Sequence, residues 1–127
     1  MASFDWDLFL SLADELARPP APEEKLRSAI SRAYYACFHA ARNYVSTRYP
    51  HVRLCWDGTD HQTVWTSLKQ PERKREERAA GENGSRLLRS RCKADYDSQL
   101  PNAVWQASDD LQRARRTIVL LKDHTSG

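Results

Sequence analysis

Leu26, Ile30, Ala33, Cys37, Ala40, Ala41 and Tyr44 recur at three- and four-residue intervals over roughly 18 positions, the mark of one long amphipathic helix. Ala29, Ala33, Ala36, Ala40 and Ala41 put small side chains along the same stretch, so neighbouring helices can approach it closely. A stripe of this length cannot bury itself. The rest of the chain has to supply the helices that cover it, and that requirement constrains every other segment.

Four further segments fit that need. Trp6, Phe9, Leu10, Ala13, Leu16 and Ala17 form one helical face ahead of the long helix. Pro19, Pro20 and Pro22 separate the two, since proline breaks a helix interior and is tolerated in a first turn. Glu23 and Glu24 then sit where the helix dipole favours negative charge. After a loop marked by Pro50 and Asp57-Gly58, a short helix is expected from Asp60 as N-cap, with Val64, Trp65 and Leu68 inward. The stretch from Gln70 to Gly84 holds Pro71, two glycines and dense charge without apolar periodicity, and reads as a mobile surface loop at about 70–84. Ser85 would cap a fourth helix carrying Leu87, Leu88, Cys92 and Tyr96. Val104, Ala107, Leu111, Ala114, Ile118 and Leu121 mark a last one.

No segment alternates β-branched and polar residues as a strand does, and neither GxGxxG nor GxxxxGK[ST] occurs. The 127 residues therefore read as one all-α domain, 1–127, an antiparallel bundle of four to five helices. No apolar run reaches the roughly 20 residues of a bilayer span, and Met1-Ala2-Ser3-Phe4 does not open an export signal, so a cytoplasmic protein without membrane contact is expected. Cys37, Cys55 and Cys92 suit neither a disulfide framework nor zinc; Cys37 and Cys92 read as core fillers. His39, His51, His61 and His124 make no ligand spacing, so neither metal nor cofactor is expected.

Charge is concentrated. Between Lys69 and Lys93 nine basic residues face four glutamates, a local balance of +5 within a chain whose net charge is +3. Arg73, Lys74, Arg75, Arg78, Arg86, Arg89, Arg91 and Lys93 are candidates for a salt-sensitive, sequence-blind contact with RNA phosphates; the bland alternative is a solvated helix face. Trp6, Trp56, Trp65 and Trp105 do not interleave with this segment, so no stacking platform is evident. Trp6, Trp65 and Trp105 read as core or interface anchors, and Trp56 is left open.

The string SRAYYACFHAA, Ser31 to Ala41, closely resembles the second helix of HEPN domains, and the run from Leu87 to Asp97 resembles the LRxxADYD element of the same branch. The resemblance spans roughly Trp6 to Lys122. It implies a helical bundle that dimerises and works beside nucleotidyltransferase-like proteins, in toxin–antitoxin pairs or antiviral defence. Many members are metal-independent ribonucleases marked by an arginine followed by a histidine; others are non-catalytic binding or scaffold partners.

Arg32 and His39 match that pairing with six residues between them. Seven positions are almost two helical turns, so both project from one face with Cα atoms about 10.5 Å apart. Metal-free RNA cleavage needs a proton-moving group near neutral pH, which histidine supplies, and a fixed cation for the phosphorane-like charge, which arginine supplies. The competing reading is structural: Arg32 paired with a carboxylate such as Asp95, and His39 bonded to the backbone. In the ribonuclease members the pair usually lies later in the chain. The corresponding stretch here, Arg89 to Tyr96, offers Asp95 where the histidine belongs, with Tyr96 beside it as a candidate for modification or a packed ring. The resemblance thus leaves two expectations, an RNA-cleaving enzyme using Arg32 and His39, or a dimeric binding partner without catalysis.

Overall fold

The computed structural model describes residues 4–123. Met1, Ala2, Ser3 and His124 lie outside the described residues. Five helices make up the fold: α1 (Asp7–Leu16), α2 (Glu23–Arg48), α3 (Asp60–Leu68), α4 (Arg75–Tyr96) and α5 (Ala103–Asp123). Among the described residues there is no strand. The chain is all-α.

Helix α2, 26 residues long, is the axis of the bundle. It starts behind an extended Pro22, with Glu23 and Glu24 in its first turn, as the dipole favours. Its stripe of Leu26, Ile30, Ala33, Cys37, Ala41 and Tyr44 is buried, and so are Ala29, Ala36 and Phe38 on flanking sides. Helices α1, α3, α4 and α5 cover it, which explains why so many of its residues are alanine. Most of the core forms one cluster around Tyr34, Trp65, Leu68 and Leu87. Leu26, Ile30, Ala94, Leu100 and Ala107 form a second at the end where α2 begins. Each large apolar side chain so enclosed contributes about 1.5–3 kcal/mol.

Side-chain pairs fix the helix directions. Asp7 and Asp14 of α1 pair with Lys122 and Arg115 of α5, so these two run antiparallel. Tyr44, late in α2, donates to Glu77, early in α4, at 2.8 Å, whereas Arg27, early in α2, donates to the Ala94 carbonyl, late in α4, at 2.9 Å. That pair is antiparallel too. So are α4 and α5, joined through Arg113 to Asn83 and Gln106 to Ser90.

The expected loop at 70–84 is corrected. Only the turn from residue 69 to 74 is non-helical, and α4 begins at Arg75. Ser85 therefore lies within the helix and caps nothing. The N-cap is Lys74, whose N–H donates to the Glu77 carboxylate at 2.9 Å. Glu77 is buried and also accepts from the hydroxyls of Tyr44 and Tyr49. Gly81 and Gly84 are not breakers: both are buried against α3, and a Cβ on Gly84 would stand 2.2 Å from the Trp65 ring. They let α3 and α4 touch almost backbone to ring, a reason for glycine invisible in periodicity.

Smaller expectations shift as well. Asp60 is the first residue of α3, behind Thr59 as N-cap; its carboxylate instead accepts the N–H groups of Cys55 and Trp56, both at 2.8 Å. Those bonds hold Trp56 in the left-handed region, at φ 61°. Cys37 is buried as expected, but Cys92 is exposed. Tyr96 is 76% exposed and Trp105 64%, so neither is a core anchor, and Val104 is exposed although its neighbours in the α5 stripe are buried. No helix among the described residues is long and apolar enough to cross a membrane.

Candidate functional site

Arg32 and His39 do share one face of α2, and α1 lies across it. Trp6 stacks on the His39 imidazole with ring centroids 3.4 Å apart and planes 9° from parallel. One turn along α1, Phe9 lies under the Arg32 guanidinium at 5.1 Å. Tyr35 stands between the two α2 residues, its ring 5.6 Å from the Arg32 guanidinium and 6.4 Å from the His39 ring. Arg32 does not take Asp95 as a partner, and among the described residues it forms no ion pair. Asp95 pairs with Arg91 at 2.9 Å and accepts from Ser31 at 3.4 Å.

Arg42, one turn after His39, donates from Nη2 to His39 Nδ1 at 3.1 Å. A guanidinium can only donate, so Nδ1 must be the acceptor and the neutral ring carries its proton on Nε2. Burial, the Arg42 charge and the nearby His61 together push the His39 pKa down to about 4. The ring is neutral at pH 7. Arg42 is itself buried and anchored by Asp60 at 3.3 Å, with its guanidinium 4.9 Å from the Trp56 ring and 5.0 Å from Phe38.

A second imidazole completes the arrangement. His61, at the start of α3, stacks on Phe38 with centroids 4.1 Å apart and lies 6.2 Å from the Tyr35 ring. Its Nδ1 is 2.5 Å from the Tyr34 hydroxyl, which already accepts from Trp65 Nε1 at 3.1 Å. The buried Tyr34 hydroxyl has its own hydrogen to place, so it donates to His61 and leaves the His61 proton on Nε2 as well. Burial, then Arg91 and Arg42, lower the His61 pKa, with Asp60 opposing. Arg91 reaches the same place from α4, donating to the Tyr35 hydroxyl at 2.9 Å.

Helices α2, α3 and α4 thus bring Arg32, Arg91 and two neutral imidazoles around Tyr35, with Arg42 against His39 and α1 covering one side. Helical spacing exposes the Arg32–His39 pair and also sets Arg42, three residues on, beside His39, a signal the Arg–His motif leaves out; His61 and Arg91 come from other helices and leave no such trace. The distances between α2, α3 and α4 that join them are set by packing.

The basic segment divides. Arg73 donates to the Ser67 carbonyl at 2.9 Å and lies 3.7 Å from the Tyr49 ring, and Arg78 donates to the carbonyls of Pro71 and Arg73. Those two hold the α3–α4 turn together rather than presenting charge for RNA. Lys74 and Arg75 are exposed at the start of α4. Arg86, Arg89 and Lys93 line an exposed crevice against α5. Arg91 belongs to the histidine site. Tyr96 is an open ring 5.8 Å from the Arg91 guanidinium, not a packed one.

Among the described residues, the one group of donors close enough to share a metal ion is Cys55, Asp57 and Asp60. The Asp60 oxygens already accept two amides and the Arg42 guanidinium, whose positive charge opposes a cation there. No family model matches the chain, and no curated protein or solved structure matches it either.

Proposed function

We propose that this chain is a HEPN-type, metal-independent ribonuclease acting at the α1–α2–α3 face, in a toxin–antitoxin or antiviral setting. The observation that carries the reading is His39: a half-buried, neutral imidazole bonded to one arginine within a cluster of three. Three guanidiniums and two imidazole N–H groups make a donor-rich cluster, which suits a phosphodiester, with Asp60 and Asp95 offsetting part of the Arg42 and Arg91 charge.

The chemistry follows from the Arg42–His39 bond. A bound phosphate competes for Arg42 and frees His39 Nδ1, whose lone pair then takes the proton of the ribose 2′-hydroxyl. The 2′-oxygen attacks phosphorus, the bond to the 5′-oxygen breaks, and the His39 imidazolium returns the proton to that leaving oxygen. A 2′,3′-cyclic phosphate and a 5′-hydroxyl result. Arg32, Arg42 and Arg91 hold the negative charge that builds on phosphorus oxygens, and His61 adds a donor.

The test is His39→Ala. Cleavage of an unstructured RNA and any toxicity on expression should vanish while the helical circular-dichroism signal is unchanged. Turnover equal to the parent protein would overturn the assignment. A second reading, a dimeric binding partner of a nucleotidyltransferase-like protein without catalysis, is favoured by one feature: in the resting protein Arg42 occupies the nitrogen that a base would use. It predicts stable co-purification with such a partner and no RNA turnover.

A further inference from the structure

On the opposite side of Arg91, α4 and α5 enclose a crevice of about 300 Å³, with Arg86, Arg89 and Lys93 on one wall and Trp105 on the other. The two walls differ in kind. Arg86, Arg89 and Lys93 are spaced three and four residues apart on one face of α4; all are exposed and, among the described residues, form no ion pair. Across from them Trp105 leaves most of its indole in solvent, an unfavourable exposure for the largest aromatic. Nothing in the linear order of residues hints at this pairing, because the aromatic comes from a different helix than the charges.

The floor is different again. Asp110 is only 2% exposed, and Gln106 Nε2 donates to both its oxygens at 3.1 Å and to Ser90 Oγ at 3.1 Å. Asp109 beside it pairs with Arg113 at 3.3 Å, and Arg113 is further held by Asn83. Carboxylates at the base repel a phosphate, so an anionic group has to stay at the rim with the α4 cations. Asp110 is closed off by Gln106, so the acceptor that reaches the crevice is Asp109, 28% exposed, with one oxygen on Arg113 and room for a further hydrogen-bond donor. A planar group with an amino edge, attached to a phosphate, meets all three surfaces at once.

We infer that the α4–α5 crevice is a binding subsite for single-stranded RNA, with one base stacked on Trp105, its amino edge turned to Asp109 on the floor, and flanking phosphates on Arg86, Arg89 and Lys93. This rests on the RNA reading above but not on cleavage. Stacking supplies affinity regardless of sequence, and the carboxylate floor favours cytosine over uracil, which presents a carbonyl at the same edge.

The experiment is fluorescence anisotropy with labelled 2′-O-methyl oligo(C) and oligo(U), about ten nucleotides long, a length within the usual span of a single-strand site. These lack the attacking hydroxyl, so binding is read without turnover. The intact chain should bind oligo(C) more tightly than oligo(U). Trp105→Ala should weaken both by about fivefold or more. Lys93→Glu should flatten the dependence of log affinity on log salt by about 0.7 for each phosphate no longer neutralised. Asp109→Asn, which offers an amide donor, should narrow or invert the base preference. Trp105 is exposed enough that its removal leaves the fold intact, which an unchanged melting temperature verifies. Equal binding by the Trp105→Ala protein overturns the proposal, and so does competition by polyglutamate with no Trp105 dependence, which would make the crevice a docking surface for an acidic protein. Trp105-dependent binding together with failure of ordinary RNA to be cleaved would sink the nuclease reading and leave this subsite standing.

Discussion

Trp6 lies flat on His39, with ring centroids 3.4 Å apart and planes within 9° of parallel. The contact covers one face of the imidazole with indole while Arg42 occupies Nδ1, so proton uptake is opposed by both burial and charge. This ties the α1 cover to the chemistry of α2.

A direct consequence is titration far below the ordinary histidine range. The His39 proton resonances should stay fixed from about pH 8 to about pH 5 and move only around pH 4. Because the folded-state value is lowered, protonation favours the unfolded chain, and stability falls as pH drops from about 6.5 towards about 4. Trp6→Ala should raise the midpoint by uncovering the ring. If the protein cleaves RNA, the acid limb of kcat/KM should lie near the same low pH, since it reports the free enzyme. A His39 midpoint near 6.5 in the parent protein would show that neither the indole nor Arg42 controls the ring.

Gly84 and Gly81 should respond differently to alanine, although both lie within one turn of the same helix. A Cβ on Gly84 would overlap the buried Trp65 ring at 2.2–2.5 Å, and a rigid core aromatic cannot step aside. Gly84→Ala should cost about 2–3 kcal/mol after the helix-propensity gain. At Gly81 the nearest atom, at 2.6 Å, is Cγ of the flexible Lys69 stem, with Leu68 Cβ and the Trp65 carbonyl at 3.1 Å. The loss there should be smaller. Urea unfolding of both variants gives the comparison, and an equal effect at the two sites would contradict it.

The Arg42–Asp60 pair is enclosed, and its removal should be felt beyond α2. Arg42→Met keeps the packing volume but strands the Asp60 carboxylate with only two amide donors. A destabilisation of about 3 kcal/mol is expected. Amide exchange of Cys55 and Trp56 should quicken with it. The same substitution takes the charge off His39 Nδ1, so the imidazole should titrate higher. Unchanged exchange and an unchanged His39 midpoint would show that the pair does not organise the site.

Asp110 carries the opposite sign of pH effect. Burial raises its carboxyl to about 6 despite hydrogen bonds from Gln106 and Ser90. A raised value means the folded chain holds the proton more tightly than the unfolded one, so stability is lost as pH rises from about 4 through about 6 and then levels off. Asp110→Asn should therefore stabilise the protein by about 2 kcal/mol at about pH 7.5. The gain should shrink at about pH 5. Thermal melts at the two pH values decide it, and a variant less stable than the parent at the higher pH would reverse the sign.

Much of this molecule is legible without any knowledge of its fold. The stripe from Leu26 to Tyr44, the prolines before it and the spaced apolar residues of α1, α3 and α5 dictate an all-helical chain around one central helix, because helical periodicity is a local property. The placement of Arg32 and His39 on one face follows from the same geometry. Periodicity fails at α4: its first ten residues bury Ala80, Gly81, Gly84 and Glu77, and small or hydrogen-bonded residues leave no hydrophobic signal. Only the tertiary structure could bring His61 and Arg91 to Tyr35, or set Trp105 opposite Arg89. Those neighbours lie on separate helices, and what sets their distance is how side chains of different elements interlock, which no single segment encodes.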